Sequence, residues 1–594
     1  MGRRGKSTAP ATAGGRIGPS GGVAAAAAPG GRGRDRAASR RRPGAAATEG
    51  NHGGSGTGSG PPGIRRRAKG PSVSTASAAL GRSGGDPGQP PAAHRWQALA
   101  VCLIAGFMTL LDVSIVNVAL PSIRTGLHTS ESALQWVLSG YALTFGLALV
   151  PAGRLGDARS RRAVFMSGLA LFTAASALVG AAQNEGWLVG ARLVQGIAGG
   201  VLMPQVSGFV QQLFQGAERG RAFGLLGATI GISTAVGPLL GGLLIQAFGA
   251  HEGWRWVFYV NLPIGIAALP VAYRLLPGPG AARNRRPGGF DPAGVLLLGV
   301  GTVLLLLPFV QEQQWPGSAK WLLLPVSGLL LAAFAVWEQH YGRRAEPLVD
   351  LRLFQARSYA LGALLSLVYF AGFTAIFFIF TLYLQNGLHY SALIAGLAIT
   401  PFALGSAVAA AIGGRMVHRL GRPLVVWGLV MVAIGLAGAA LAVHLVPGQG
   451  AGWVTAAPLL FAGLGSGLVI SPNQTLTLSE VPVIRAGSAG GVLQTAQRIG
   501  SSLGIAAVGS VFFARVNSHP GDWAGAFQRG VTVATGFVLL ALVAALGDVV
   551  GGHRAARGGR DRRAAGGRDG TRSQPDAAGT GAGERRQPQQ RRRR

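Results

Sequence analysis

The chain has 594 residues, 49% of them hydrophobic and 13% charged, with 96 Gly and a formal net charge of +33. Its mean hydropathy is +0.36 although both ends are polar, so the middle must hold long uncharged runs of the kind that cross a bilayer. The single cysteine, Cys102, excludes an internal disulfide and a thiolate metal cluster. More than half of the Lys and Arg lie before residue 96 or after residue 550, a placement that suits anionic lipid beside a membrane rather than nucleic acid.

Residues 1–95 are Gly, Ala, Arg, Ser and Pro with hardly an aromatic, and they are expected to form a disordered basic tail. The alanine run Ala24–Ala28 is too short to be the apolar core of a signal peptide. Residues 549–594 read as a second basic, disordered tail. Between the tails lie fourteen apolar spans, at 97–120, 133–151, 163–182, 187–209, 222–246, 257–276, 293–310, 321–337, 358–382, 392–413, 424–445, 453–473, 488–513 and 530–548. Arg is frequent in every second connection (Arg154, Arg159, Arg161 and Arg162; Arg219 and Arg221; Arg283, Arg285 and Arg286; Arg415, Arg419 and Arg422) and sparse in the others. That asymmetry predicts both termini in the cytoplasm and agrees with an even number of crossings.

The first span ends Leu111-Asp112-Val113-Ser114-Ile115-Val116-Asn117-Val118-Ala119-Leu120-Pro121. Asp112 is the one acid well inside a predicted span. A carboxylate at that depth is costly and is retained for use, so Asp112 is expected to exchange protons. Lys is nearly absent and Arg stays protonated, which leaves carboxylates and the ten His as proton carriers. Such exchange needs an aqueous passage to the side chain.

The second span closes on Gly153-Arg154-Leu155-Gly156-Asp157-Ala158-Arg159-Ser160-Arg161-Arg162. Here glycines permit a tight turn, and Asp157 can accept from exposed helix-end N–H groups or pair with an Arg. This stretch resembles the loop 2–3 signature of the major facilitator superfamily, with Ser160 and Ala158 as departures from it. Arg192 to Gly200 in span 4, including Gln195, is similar to that superfamily's helix 4 motif. Gly231 to Gly242 in span 5, with Gly237, Pro238, Gly241 and Gly242, resembles its antiporter signature; small residues at this spacing let backbones approach and Pro bends the helix.

Trp254–Pro263 opens span 6 with aromatics suited to the membrane interface. Glu346–Phe354 precedes span 9, and Ala486 through Gln494, Arg498, Gly500 and Gly504 makes up span 13. Together these stretches resemble the fourteen-helix drug:proton antiporter branch over residues 97 to 548. His418 and His389 depart from it, the first replacing the acid of the repeated turn and the second a favoured Gly.

The resemblance implies an all-α polytopic membrane protein of the major facilitator fold, with two six-helix halves (96–276 and 358–548) and two inserted helices within 277–357. It also implies that helices 1 and 4 face a common cavity, which pairs Asp112 with Arg192 as the proton-coupling site. Gly153, Asp157, Arg161 and Arg162, with the span 5 glycines and Pro238, become the gating elements. Asn117, Gln195, Tyr369, Phe373, Phe377, Gln494 and Arg498 are the candidates to line a substrate cavity, aromatic faces being suited to flat or cationic organic molecules.

No cofactor or metal is expected. Gly463-Leu464-Gly465-Ser466-Gly467 lies inside an apolar span with no Lys after it, which argues against a phosphate loop. The implied protein is a monomer in the cytoplasmic membrane that exchanges protons for an amphipathic small molecule, with anionic lipid at its tails and no nucleic-acid partner. An uptake carrier of the same fold, or a membrane sensor with a transporter-like body, remain the alternatives.

Overall fold

The computed structural model describes residues 91–249, 251–278, 291–310, 315, 317–446 and 448–569. The tail 1–90, the tail beyond 569 and the arginines 283, 285 and 286 lie outside them. The helices are α1 (Ala92–Leu127), α2 (Glu131–Leu155), α3 (Arg161–Gly180), α4 (Glu185–Leu213), α5 (Gly216–Phe248), α6 (Gly253–Tyr259), α7 (Asn261–Leu275) and α8 (Pro292–Val310). They continue as α9 (Leu323–Tyr341), α10 (Arg357–Leu382), α11 (Ala392–Leu420), α12 (Arg422–Leu445), α13 (Ala451–Val454), α14 (Ala456–Thr477), α15 (Ala486–Ser518) and α16 (Trp523–Asp569). No strand occurs among the described residues.

Each of the fourteen predicted spans falls on helix, the sixth on α6–α7 and the twelfth on α13–α14. Among the described residues thirteen stretches are long and apolar enough to cross a membrane, because one of them, Ala133–Gly180, is 48 residues long and takes in α3 and nearly all of α2. A π-helical turn, Gly156–Ser160, joins these two. Ser160 leaves the helical region and accepts the Ala163 N–H at 3.3 Å, so the residue that departs from the family signature starts α3 as its N-cap. Asn184 and Ser391 cap α4 and α11 in the same way. His389 has φ 56°, a left-handed conformation that explains why Gly is favoured there.

Three expectations change. Trp254 is fully buried beneath Arg255 rather than at an interface, its place outside being taken by the exposed Trp256. Gly153 lies within α2, and its size serves a close helix contact rather than the turn. The last helix passes residue 548 and reaches Asp569, since extending a formed helix avoids the cost of nucleating one.

The six-helix pattern occurs twice. In the first half α1 packs on α5 and α7, α2 on α4, and α3 on α4 and α7; in the second α10 packs on α15 and α16, α11 on α14, and α12 on α14 and α16. The halves meet along two seams. At one, α5 and α11 lie backbone to backbone, so that a Cβ at Gly220, Gly224, Gly231 or Gly414 would strike main-chain atoms of the facing helix. At the other, α2 and α4 meet α15. The inserted α8 and α9 pack on each other, and α8 also touches α2 and α15.

Candidate functional site

Asp112 and Arg192 meet inside the first half. Arg192 Nη1 donates to Asp112 Oδ2 at 2.6 Å, with the two side chains 1% and 0% exposed. Gln195 stands three residues beyond Arg192 on α4 and so shares its face. It accepts from Arg192 at 2.7 Å and donates to Asp112 Oδ1 at 2.9 Å and to Ser176 Oγ at 2.8 Å. Arg192 Nε donates to the Val137 carbonyl at 3.1 Å, and its guanidinium lies 4.1 Å from the Tyr141 ring centroid. Asn261 Nδ2 reaches Asp112 Oδ1 at 3.5 Å.

Arg192 Nη1, Gln195 Nε2 and Asn261 Nδ2 all donate to the Asp112 carboxyl. The pair satisfies the requirement that buried charges be matched and hydrogen-bonded. α1, α2, α3, α4 and α7 each supply a group.

The expected aqueous passage to Asp112 is absent in this conformation, because the packing of those five helices seals the carboxyl completely. Gln195 is likewise fully buried and completes the charge site instead of lining a cavity. Ser176, Asn261, Tyr141 and the Val137 carbonyl were not singled out by sequence, since isolated polar residues in apolar spans are common. The three-residue step from Arg192 was a usable signal for Gln195.

A second site joins the halves at the end of the bundle where the basic turns lie. Asp157, whose side chain is fully buried, accepts the Gly487 and Ser488 N–H groups at 3.0 and 2.8 Å. These are free donors at the N-terminus of α15, where a carboxylate is favoured by the helix dipole. Arg161 clamps Asp157 at 2.8 Å and reaches the carbonyls of Gly208 and Val483. Gly153 makes the approach possible, as a Cβ there would collide with the Gly487 carbonyl. Arg162 instead stacks on Tyr273, 4.2 Å from its ring centroid.

On α5, a Cβ at Gly237 would strike Ser114 and one at Gly241 would meet Ile115, both on α1. Pro238 packs against Gly396 and Gly242 faces Leu393, both on α11. The span 5 glycines thus tie the helix bearing Asp112 to the seam between halves.

Phe373 and Phe377 on α10 are half-buried and form a ring cluster with Phe402 of α11, with centroids 5.0 to 5.9 Å apart. Tyr369 is 1% exposed and belongs to the core, so it does not line a cavity in this conformation. Asn117 is exposed. Gln494 donates across the seam to Ser207 at 3.2 Å, and the Arg498 guanidinium lies 4.4 Å from the Phe145 ring centroid. The structure therefore brings Asp112 and Arg192 together in the first half, sets Arg498 of α15 against Phe145 of α2, and leaves the aromatic candidates in the second half.

Residues 102–505 match the family model described as Major Facilitator Superfamily. The chain belongs to the major facilitator superfamily. It is 37% identical over 443 residues to a probable actinorhodin transporter of Streptomyces coelicolor, covering 74% of this chain and 76% of that one. It is 35% identical to a puromycin resistance protein of Streptomyces alboniger (76% and 90% covered). A tetracenomycin C resistance and export protein of Streptomyces glaucescens is 33% identical (73% and 78% covered).

Among solved structures it superposes on the human organic anion transporter MFSD10 with a TM-score of 0.55 at 16% identity, covering 77% of this chain and all of that one. The proton:xylose symporter XylE gives 0.52 at 17%, with 75% and 95% covered. At such identities these superpositions establish the major facilitator fold alone.

Proposed function

We propose that this protein is a proton-coupled antiporter that exports drugs, antibiotics or other amphipathic small molecules across the cytoplasmic membrane. The relatives named for resistance and export support the direction of transport. The observation that carries the coupling is the sealed Asp112–Arg192 pair, an ionisable site at membrane depth of the kind kept for function. In this reading the protein works as a monomer of two halves, 96–276 and 358–548, with 277–357 inserted. Both termini face the cytoplasm and the basic tails rest on anionic lipid.

Proton exchange belongs to another conformation of the cycle, in which α1, α2, α3, α4 and α7 loosen within the first half as the halves part and admit water to Asp112. Protonation there removes the negative charge that holds Arg192 and Gln195, and the first half repacks. Substrate held against Phe373 and Phe377 is carried by the same motion.

The magnitudes agree. Breaking a buried ion pair costs about 3–5 kcal/mol, and one proton moving through about 100 mV and about one pH unit supplies roughly 3.7 kcal/mol. The test is Asp112→Asn in proteoliposomes under an imposed pH gradient. Dye efflux should disappear while insertion and expression match wild type; gradient-driven efflux at the wild-type rate would remove Asp112 from the mechanism.

A further inference from the structure

The transport reading leaves the inserted pair α8–α9 unused, yet two buried acids lie in it. Glu338, near the end of α9, is 2% exposed, and Asp291, just before α8, is 4% exposed. Both carboxyls converge on the space over Gly294, where a Cβ would collide with oxygens of each. Asp291 accepts from Gly294 N–H at 2.9 Å and from Trp337 Nε1 at 3.1 and 3.0 Å. Glu338 accepts the Leu348 N–H through both oxygens, at 3.2 and 3.0 Å. Among the described residues neither acid forms an ion pair. The charged groups acting on Glu338 are Asp291 and Arg154 of α2, and Arg154 is bound to Glu346.

Leu348 anchors a strap. Residues 342–355 run from α9 past both halves, with Leu348 and Val349 buried against Phe334 of α9 and Val150 of α2, and with Val492 of α15 packed beside them. Glu346 pairs with Arg154 at 2.5 Å, and Asp350 pairs with Arg485 at the start of α15. The strap therefore grips the same two helices that Asp157 joins.

We propose that Asp291 and Glu338 share a single proton, and that losing it frees the 342–355 strap from α2 and α15. Two carboxyls in one dry space do not both ionise without repulsion. One shared proton leaves a single negative charge facing Arg154; a second ionisation would drive the acids apart and admit water, undoing the Leu348 anchor. The docked strap binds a proton more tightly than the free one. Docking is thus favoured at low pH and lost as pH rises. This is a proton site separate from Asp112, and it stands whether or not Asp112 is the coupling group.

The test is amide hydrogen exchange of the full chain in lipid nanodiscs from about pH 6 to about pH 9, corrected for intrinsic exchange. In wild type, protection of the segment containing Leu348 should fall by about tenfold or more across that range. Glu338→Gln keeps an acceptor for Leu348 but cannot ionise, and Asp291→Asn removes the repulsion, so both should be flat. At neutral pH an infrared band of a protonated carboxyl should be present in wild type and missing from each variant. Flat wild-type protection, variants that lose protection in step with wild type, or a band that survives in both variants would overturn the proposal. The wild-type profile decides even if a variant fails to fold.

Discussion

In the first half α1 and α4 cross over Asp112, Arg192 and Gln195, and in the second the corresponding α10 and α14 are joined by the amide of Asn473. There Asn473 donates to the Gly362 carbonyl at 3.0 Å and to Ser366 Oγ at 2.9 Å, and accepts from Arg422 at 2.8 Å. The charges of the second half are spread along it: Arg422 pairs with Asp548 at 2.7 Å at the basic end, Arg515 with Asp522 at 2.7 Å at the other, and Arg498 stacks on Phe145 between them. One helix crossing thus holds an acid–arginine pair in one copy and an amide reached by an arginine in the other, while the Phe373, Phe377 and Phe402 rings cluster in the second copy alone. Charge work and substrate contact can then be assigned to different halves, provided that the seams transmit motion between them.

The comparison breaks most directly if the ionisable centre proves merely structural. Replacing both partners, Asp112→Asn with Arg192→Gln, removes two charges together, a change that is often close to neutral for stability. The thermal midpoint in detergent should stay near that of wild type, above that of Asp112→Asn alone, while gradient-driven efflux falls by about 100-fold or more. Wild-type coupling in the double variant would make the halves chemically equivalent.

A smaller effect should separate the two basic turns. Asp157→Asn weakens charge-assisted bonds to two α15 amides and to Arg161, a loss of about 2–4 kcal/mol from the joined state. Spin-label distances between α2 and α15 at the basic end should lengthen in a larger share of molecules. The exposed His418, at the equivalent turn of the second half, replaces an acid, and His418→Ala should leave those distances unchanged. Equal shifts in the two variants would contradict the assignment.

The smallest effect concerns the aromatic face. Phe377→Ala removes ring contacts worth about 0.5–1.5 kcal/mol, so the half-saturating dye concentration should rise by about 2–10-fold with the pH profile of efflux unmoved. A displaced pH profile would show that the aromatic half takes part in proton coupling.

Much of this division could be read from the chain itself. Asp112 stood out as a lone acid within a span, and Arg192 followed from its depth and helix. The fourteen spans followed from apolar runs, although several, the seventh, eighth and last among them, were close to the shortest length that crosses a bilayer. Ser176, Asn261 and Tyr141 stayed hidden because their roles depend on how five helices converge, which no local pattern encodes.

Glu346–Phe354 was visible as a motif but its purpose was not. Its partners Arg154 and Arg485 lie 192 and 135 residues away, and pairing over such distances leaves no periodic trace. Asp157 was read correctly as able to take helix-end donors or an arginine, while the identity of the recipient helix, 330 residues further on, came from the fold.

The glycine-to-backbone contact of α5 with α11 has a mechanical consequence. Main chains packed that closely have no side-chain length to yield, and Gly153 and Gly491 bring α2 and α15 together in the same way, so parting either seam forfeits its contact at once rather than by degrees. The two edges of the molecule therefore latch or open as whole units, and α8 lies across one of them, against both α2 and α15.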